Sequence, residues 1–321
     1  MGFMTDTHYY EGTKTTFLKT GLRVAALVFH PEGFDENASY PAVVVTHPGG
    51  GVKEQVASLY AWNLSQKGYV TIAFDASHHG ESEGMPRYLE DPASRVEDIR
   101  AAVDYLTTLP FVDRERIGAV GICAGGGYTM SAVQTDIRIK AAAGISSWNT
   151  GDWVRDGFPP RGKNSALLSS LKTAAEQRTR EANGEEPLYV GYVPNSPEEI
   201  DEHTPVIMKE ASEYYRTERC AYPTSVNKMA VQSLDRLAAF DAFQYLDTVS
   251  PRPILLIVGS LADTKHFSED AYSRAKEPRE LFVVDGATHI DLYDVPKFVE
   301  QAVSKLTSFF DKNLKNMRVM P

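Results

Sequence analysis

One stretch constrains the fold more than any other: Ile117-Gly118-Ala119-Val120-Gly121-Ile122-Cys123-Ala124-Gly125-Gly126-Gly127-Tyr128. A short apolar run ends in Gly-x-Cys-x-Gly and passes into a segment able to form a helix. Glycines at 121 and 125 let strand turn sharply into helix, because the crowded bend leaves no room there for a Cβ. Such a bend holds Cys123 in a strained conformation, its sulfur raised above a sheet edge at a helix N-terminus. Free cysteine is ordinarily a small core residue; the flanking glycines mark this one as a nucleophile. A helix N-terminus favours the thiolate, so the position activates the residue it displays.

The rest of the chain supplies a scaffold for that bend. From His8 to about Val28 the sequence alternates, as in two antiparallel strands at a sheet edge. Ala42–Thr46, Val70–Phe74, 117–122 and Lys140–Ser146 are continuous apolar runs, the pattern of strands covered on both faces. Helical periodicity at Ala57, Tyr60, Ala61 and Leu64, and again at Val96, Ile99, Ala102, Val103 and Leu106, places helices between them. Alternating strands and helices predict an α/β protein with a mostly parallel, doubly wound sheet. From Trp148 to Val249 no convincing strand appears, and helices are expected near 164–182, 205–217 and 224–246. That length is too great for a connection, so 148–249 reads as a helical cap inserted between late strands. The core domain is then 1–147 with 250–321. It resumes with strands at Pro253–Val258 and Glu280–Val284 and closes with a helix from Val295 to about Lys315.

A sulfur nucleophile needs a base, and the base needs an orienting partner. Asp263 follows the strand at 253–258, and His289 follows the strand at 280–284. Both therefore fall beyond the carboxyl ends of strands, where catalytic groups of open α/β sheets gather. Asp285 and Asp291 are rivals to Asp263, although Asp291 is close to His289 along the chain. Stabilising a developing oxyanion takes two backbone N–H donors aimed at one point. Ala124, just after the nucleophile, supplies one; the other is expected from Gly49, or next from Gly50, in the glycine loop after 42–46. His47 reads as a structural residue ahead of that loop. His78, His79 and Trp148 are candidates for the substrate pocket, as are the aromatics Trp153, Phe158, Tyr189, Tyr192, Tyr214 and Tyr215 of the cap.

Composition narrows the partners. The 321 residues carry a net charge of −10 with no basic block, which argues against nucleic acid and anionic membranes. Two cysteines cannot build a disulfide framework, and a reducing compartment is expected. The start, Met1 to Asp6, has no signal-peptide core, the end, Val319-Met320-Pro321, is no peroxisomal address, and no apolar run approaches a membrane span. A cytoplasmic protein is therefore expected. No His/Cys/carboxylate spacing suggests a metal, and no cofactor is expected.

Four motifs together resemble a known superfamily. They are His47-Pro48-Gly49-Gly50-Gly51-Val52-Lys53-Glu54-Gln55, the Asp75–Ser82 loop, the Gly121–Tyr128 elbow, and Gly286-Ala287-Thr288-His289-Ile290-Asp291-Leu292-Tyr293-Asp294. The chain resembles the α/β-hydrolases, in the dienelactone hydrolase-like branch that uses a cysteine. Within that branch it is most similar to the group of fungal polyketide transferases and trans-acting thioesterases. The resemblance implies an α/β-hydrolase fold and a triad of Cys123, His289 and Asp263. It also implies acyl transfer from a small-molecule thioester or ester to an alcohol, including intramolecular lactonisation, or to water. An acyl carrier protein of a polyketide synthase is then a candidate partner. Two alternatives remain open at this point: a dienelactone hydrolase-like lactone or ester hydrolase, and a ligand-binding protein without turnover.

Overall fold

A computed structural model describes residues 10–316. His8 and the terminal stretches Met1–Asp6 and Val319–Pro321 read above lie outside the described residues. In chain order the structure contains β1 (Thr13–Lys19), β2 (Leu22–Phe29), β3 (Tyr40–Thr46), α1 (Ser58–Ser65), β4 (Val70–Phe74), α2 (Pro92–Thr108), β5 (Val112–Ile122), α3 (Ala124–Thr135) and β6 (Ile139–Ile145). The inserted stretch then carries α4 (Thr150–Asp156), α5 (Leu167–Ala182), β7 (Tyr189–Val190), α6 (Val206–Arg216), β8 (Met229–Ala230) and α7 (Ser233–Ala238). It is followed by β9 (Ile254–Gly259), α8 (Lys265–Arg274), β10 (Arg279–Val284), α9 (Asp291–Asp294) and α10 (Pro296–Phe310).

Eight strands form one sheet in the order β1-β2-β4-β3-β5-β6-β9-β10. The β1–β2 and β2–β4 pairs are antiparallel and the others parallel. Alternate residues of each inner strand feed opposite layers, as a period of two requires. Val43, Val45, Leu255 and Ile257 join one apolar cluster with α1 and α10. Ala42, Val44, Ile254 and Leu256 join the other with α2, α3 and α8. Both faces are thus covered, which explains why β4 and β9 are buried along their whole length and why β3 and β9 carry unbroken apolar runs.

The insertion departs from the sequence reading in two places. A two-stranded ribbon pairs Tyr189 with Ala230 and Val190 with Met229, where no strand was expected. The helix expected over 224–246 is also replaced, by irregular chain, the two-residue β8, turns and the short α7. Asn227 accounts for both. It adopts φ 55°, and its side-chain amide bonds the Tyr192 and Val193 N–H groups and the Val193 carbonyl. A short polar side chain that tolerates this conformation and binds backbone competes with helix.

Candidate active site

The bend at Cys123 follows from its glycines. A Cβ on Gly121 would lie 2.0 Å from the Gly125 carbonyl oxygen, and one on Gly125 would lie 2.4 Å from that of Thr46. Cys123 takes φ 57° and ψ −123° at the start of α3, a conformation that costs about 1–3 kcal/mol and persists only where the surroundings enforce it. Its sulfur accepts hydrogen bonds from the Ala124 and Gly49 N–H groups and lies within hydrogen-bonding reach of the Tyr293 hydroxyl. The Gly49 and Ala124 N–H groups, expected to converge on an oxyanion, converge in the resting structure on the sulfur. The Gly50 carbonyl instead accepts from Ser225 Oγ at 2.8 Å, and the Tyr192 ring lies against the Gly50 backbone.

Burial overrides the expected ionisation. The helix terminus and the three hydrogen bonds favour the thiolate, yet desolvation dominates and pushes the Cys123 thiol up to about 11. The resting residue is a thiol, contrary to the reading from position alone.

His289 is 1% exposed. Its Nδ1 lies 2.5 Å from Thr264 Oγ1, and its Nε2 lies 3.4 Å from Tyr293 Oη. The expected pairing with Asp263 is not formed. Asp263 Oδ2 accepts the Ile207 N–H, 3.1 Å away at the start of α6. The loop after β9 turns so that Thr264, buried, faces the imidazole while Asp263, exposed, faces the insertion. Desolvation alone holds the His289 imidazole down to about 3, so it is neutral at rest.

A buried polar lattice fixes the glycine loop. His47 Nδ1 donates to the Pro48 carbonyl at 2.6 Å, and its Nε2 accepts the Ala76 N–H at 3.0 Å. Arg95 Nη2 donates to the His47 carbonyl at 2.8 Å, while its Nε lies 3.4 Å from Glu90 Oε1. Glu90 also accepts the Tyr128 and Tyr192 hydroxyls at 2.8 and 2.6 Å. Tyr192 thus ties the insertion to the loop carrying Gly49. Glu90 and Arg95 escaped the sequence reading because their meaning lies only in what they touch across the fold.

Above Cys123 opens a cleft. The body contributes Pro48, Gly49, Glu90, Ala124, Ile290 and Tyr293 to its walls; Trp148 and Thr150 stand where the insertion begins. Trp153, Tyr192, Val193, Ile207, Met208, Ala211, Tyr215 and Leu237 of the insertion complete it. Of the pocket candidates, Trp148 lines this cleft. His78 and His79 do not: their rings bond the Pro86 and Leu89 carbonyls at 3.0 and 3.1 Å. Phe158, Tyr189 and Tyr214 are also absent from its walls, whereas Trp153, Tyr192 and Tyr215 are present.

Three buried histidines make the fold acid-sensitive. Burial lowers His47 well below its ordinary value, His79 to about 4 and His289 to about 3. Their unfolded forms bind protons near pH 6.5, so between that value and their folded values the unfolded state holds more protons. Stability is then full above about pH 6.5 and falls as pH drops toward 4, by about 1.4 kcal/mol per pH unit for each histidine. Urea midpoints measured from pH 7.5 to 4.5 should be flat and then fall, and His79→Gln should make the fall shallower. A midpoint unchanged down to pH 5 contradicts this account.

Residues 24–147 match the dienelactone hydrolase family. The uncharacterized protein YcjY of Escherichia coli (strain K12) is 41% identical over 294 residues, spanning 91% of this chain and 95% of that protein. This chain belongs to the same family as YcjY. Another relative of this dienelactone hydrolase-like protein is PA2218 of Pseudomonas aeruginosa, 35% identical over 308 residues, or 95% of this chain and 81% of that one. The PA2218 crystal structure matches with a TM-score of 0.88 at 34% identity, covering 97% of this chain and 96% of its own. The polyketide transferase grgF of Penicillium sp. is 26% identical over 260 residues, 78% of this chain and 81% of that protein. Its crystal structure, described as an alpha/beta hydrolase, matches with a TM-score of 0.79 at 23% identity, covering 95% of this chain and all of its own. The fold is that of the α/β-hydrolases. Among the described residues, no cluster of His, Cys, Asp or Glu could hold a metal, and no helix is long and apolar enough to cross a membrane.

Proposed function

We propose that this protein transfers acyl groups through a thioester on Cys123, acting as a thioesterase or acyltransferase on a polyketide-type thioester. The observation that carries this reading is the convergence of the Gly49 and Ala124 N–H groups on one sulfur beneath a largely apolar cleft. Two fixed donors beside a nucleophile stabilise the oxyanion of a tetrahedral intermediate. Thiol and imidazole are both neutral at rest. Proton transfer to His289 therefore accompanies attack, as negative charge moves from sulfur to the carbonyl oxygen held by those donors. The 148–249 stretch acts as the cap, and its apolar side chains hold the acyl chain and exclude water from the acyl-enzyme. That protection lets an alcohol, including a hydroxyl of the same chain, compete as acceptor. The similarity to the polyketide transferase grgF supports this choice of reaction.

The test is to incubate the protein with an acyl-N-acetylcysteamine thioester, with and without an alcohol, and to follow intact mass and products. An acyl adduct mapped to Cys123, with ester formed when alcohol is present, supports transfer; free acid alone identifies a hydrolase. The same assay with an acyl-phosphopantetheinyl carrier protein tells whether that form is preferred. In this reading Thr264 orients His289, and Asp263 anchors the cap through Ile207. Thr264→Val should lower kcat about tenfold to a hundredfold with little change in KM. Asp263→Asn should change KM more than kcat. The reverse pattern restores Asp263 as the orienting acid.

A further inference from the structure

Among the hydrogen bonds of the described residues, none joins Cys123 directly to His289. Each instead meets the same phenol. Tyr293 Oη bonds the Cys123 sulfur and lies 3.4 Å from His289 Nε2, long in the way that resting catalytic hydrogen bonds often are. Tyr293 is 1% exposed. Its ring meets those of Tyr214 and Tyr215 edge to face, with centroids 5.1 and 6.4 Å apart. It stands in α9, four residues after the histidine. The hydroxyl is therefore held between thiol and imidazole by packing on the ring.

Resting on the acyl-cysteine reading above, we infer that Tyr293 is a catalytic residue that relays the proton between Cys123 and His289. In this relay His289 Nδ1–H donates to Thr264 Oγ1, which leaves Nε2 as an acceptor only. The Tyr293 O–H donates to Nε2, and the Cys123 S–H donates to the phenol oxygen. As sulfur bonds to the substrate carbonyl carbon, the phenol proton passes to Nε2 and the thiol proton replaces it on Oη. The product of that step is a neutral tyrosine, an imidazolium and a tetrahedral oxyanion held by Gly49 and Ala124. Collapse breaks the carbon–sulfur bond to the leaving thiol. The imidazolium returns its proton through Tyr293 to that thiolate, and acyl-Cys123 remains. In the second half an acceptor alcohol gives its proton by the same route, and collapse frees Cys123 as the thiol.

The experiment measures iodoacetamide alkylation of Cys123 at pH 7.5, with peptide mapping to separate it from Cys220, beside thioester turnover. Tyr293→Phe should slow both by about tenfold to a hundredfold. The Tyr293→Phe/His289→Ala double variant should be no slower than His289→Ala alone, because the two groups serve one transfer. Tyr214→Phe, a packing control from the same aromatic cluster, should leave both rates within twofold. Replacing Tyr293 with 3,5-difluorotyrosine keeps ring and hydroxyl and acidifies the phenol, so the alkylation profile should move to lower pH. The relay is overturned if Tyr293→Phe stays within twofold of the native rates, if its effect multiplies with that of His289→Ala, or if the fluorinated protein titrates like the native one. Each of those results leaves the acyl-cysteine reading standing. Turnover by Cys123→Ala instead removes that reading itself.

Discussion

Cys123→Ala is expected to lower thioester turnover by roughly 10⁶-fold, the scale seen when a catalytic nucleophile is removed from an otherwise intact site. No acyl adduct should appear in its intact mass. The fold should survive, because the residue is only partly buried and alanine removes a single sulfur without adding bulk. Cys123→Ser is the sharper variant. It keeps a nucleophilic atom in place, but a hydroxyl needs far more help to ionise than a thiol, and the neutral His289 is a weak base. Turnover in the serine variant should therefore also collapse, whereas substrate binding measured by calorimetry should persist in both. Turnover within tenfold of native in the alanine variant leaves no room for an acyl-cysteine.

The second large effect concerns stability and starts at Lys53. Its ammonium lies 2.8 Å from Asp75, 2.7 Å from Glu54 and 2.7 Å from Glu81, and is 1% exposed. Asp75, fully buried, also accepts the backbone N–H groups of Lys53 and Glu81 at 2.8 and 2.9 Å. One cation thus neutralises carboxylates on two loops, those after β3 and β4. Lys53→Met leaves Asp75 and Glu54 without a counter-charge, and loss of one member of a buried pair costs about 3–5 kcal/mol. For a chain of this length that lowers the melting midpoint by roughly 5 °C. Adding Asp75→Asn should recover part of the loss, since it removes the buried charge and its amide oxygen still accepts one of the two backbone N–H groups. If Lys53→Met melts within 1 °C of native, the cluster contributes nothing net.

What the sequence disclosed divides along physical lines. The bend at Gly121, Cys123 and Gly125 was legible because its glycines stand at fixed spacing around the cysteine, even though part of the crowding at Gly125 comes from the Thr46 carbonyl. The inner strands were legible from unbroken apolar runs such as Ala42–Thr46. Thr264 was not legible. It adjoins Asp263, and only the rotation of the loop after β9 determines which of the two faces His289. Tyr293 reads as one more aromatic until the fold sets its hydroxyl between sulfur and imidazole. The thiol was misjudged for a related reason. A helix terminus is visible in sequence, while the desolvation that outweighs it comes from side chains far along the chain, such as Trp148 and Tyr215. Asn227 shows the same limit within the insertion, where one amide bonding a distant loop converts expected helix into ribbon.

The raised ionisation of Cys123 also bears on how this protein endures oxidative stress. Peroxide attacks the anion of sulfur, not its protonated form, and reactive cysteines are ordinarily vulnerable for that reason. Here burial keeps the resting sulfur protonated, so an idle molecule should react with hydrogen peroxide more slowly than a cysteine held as the thiolate.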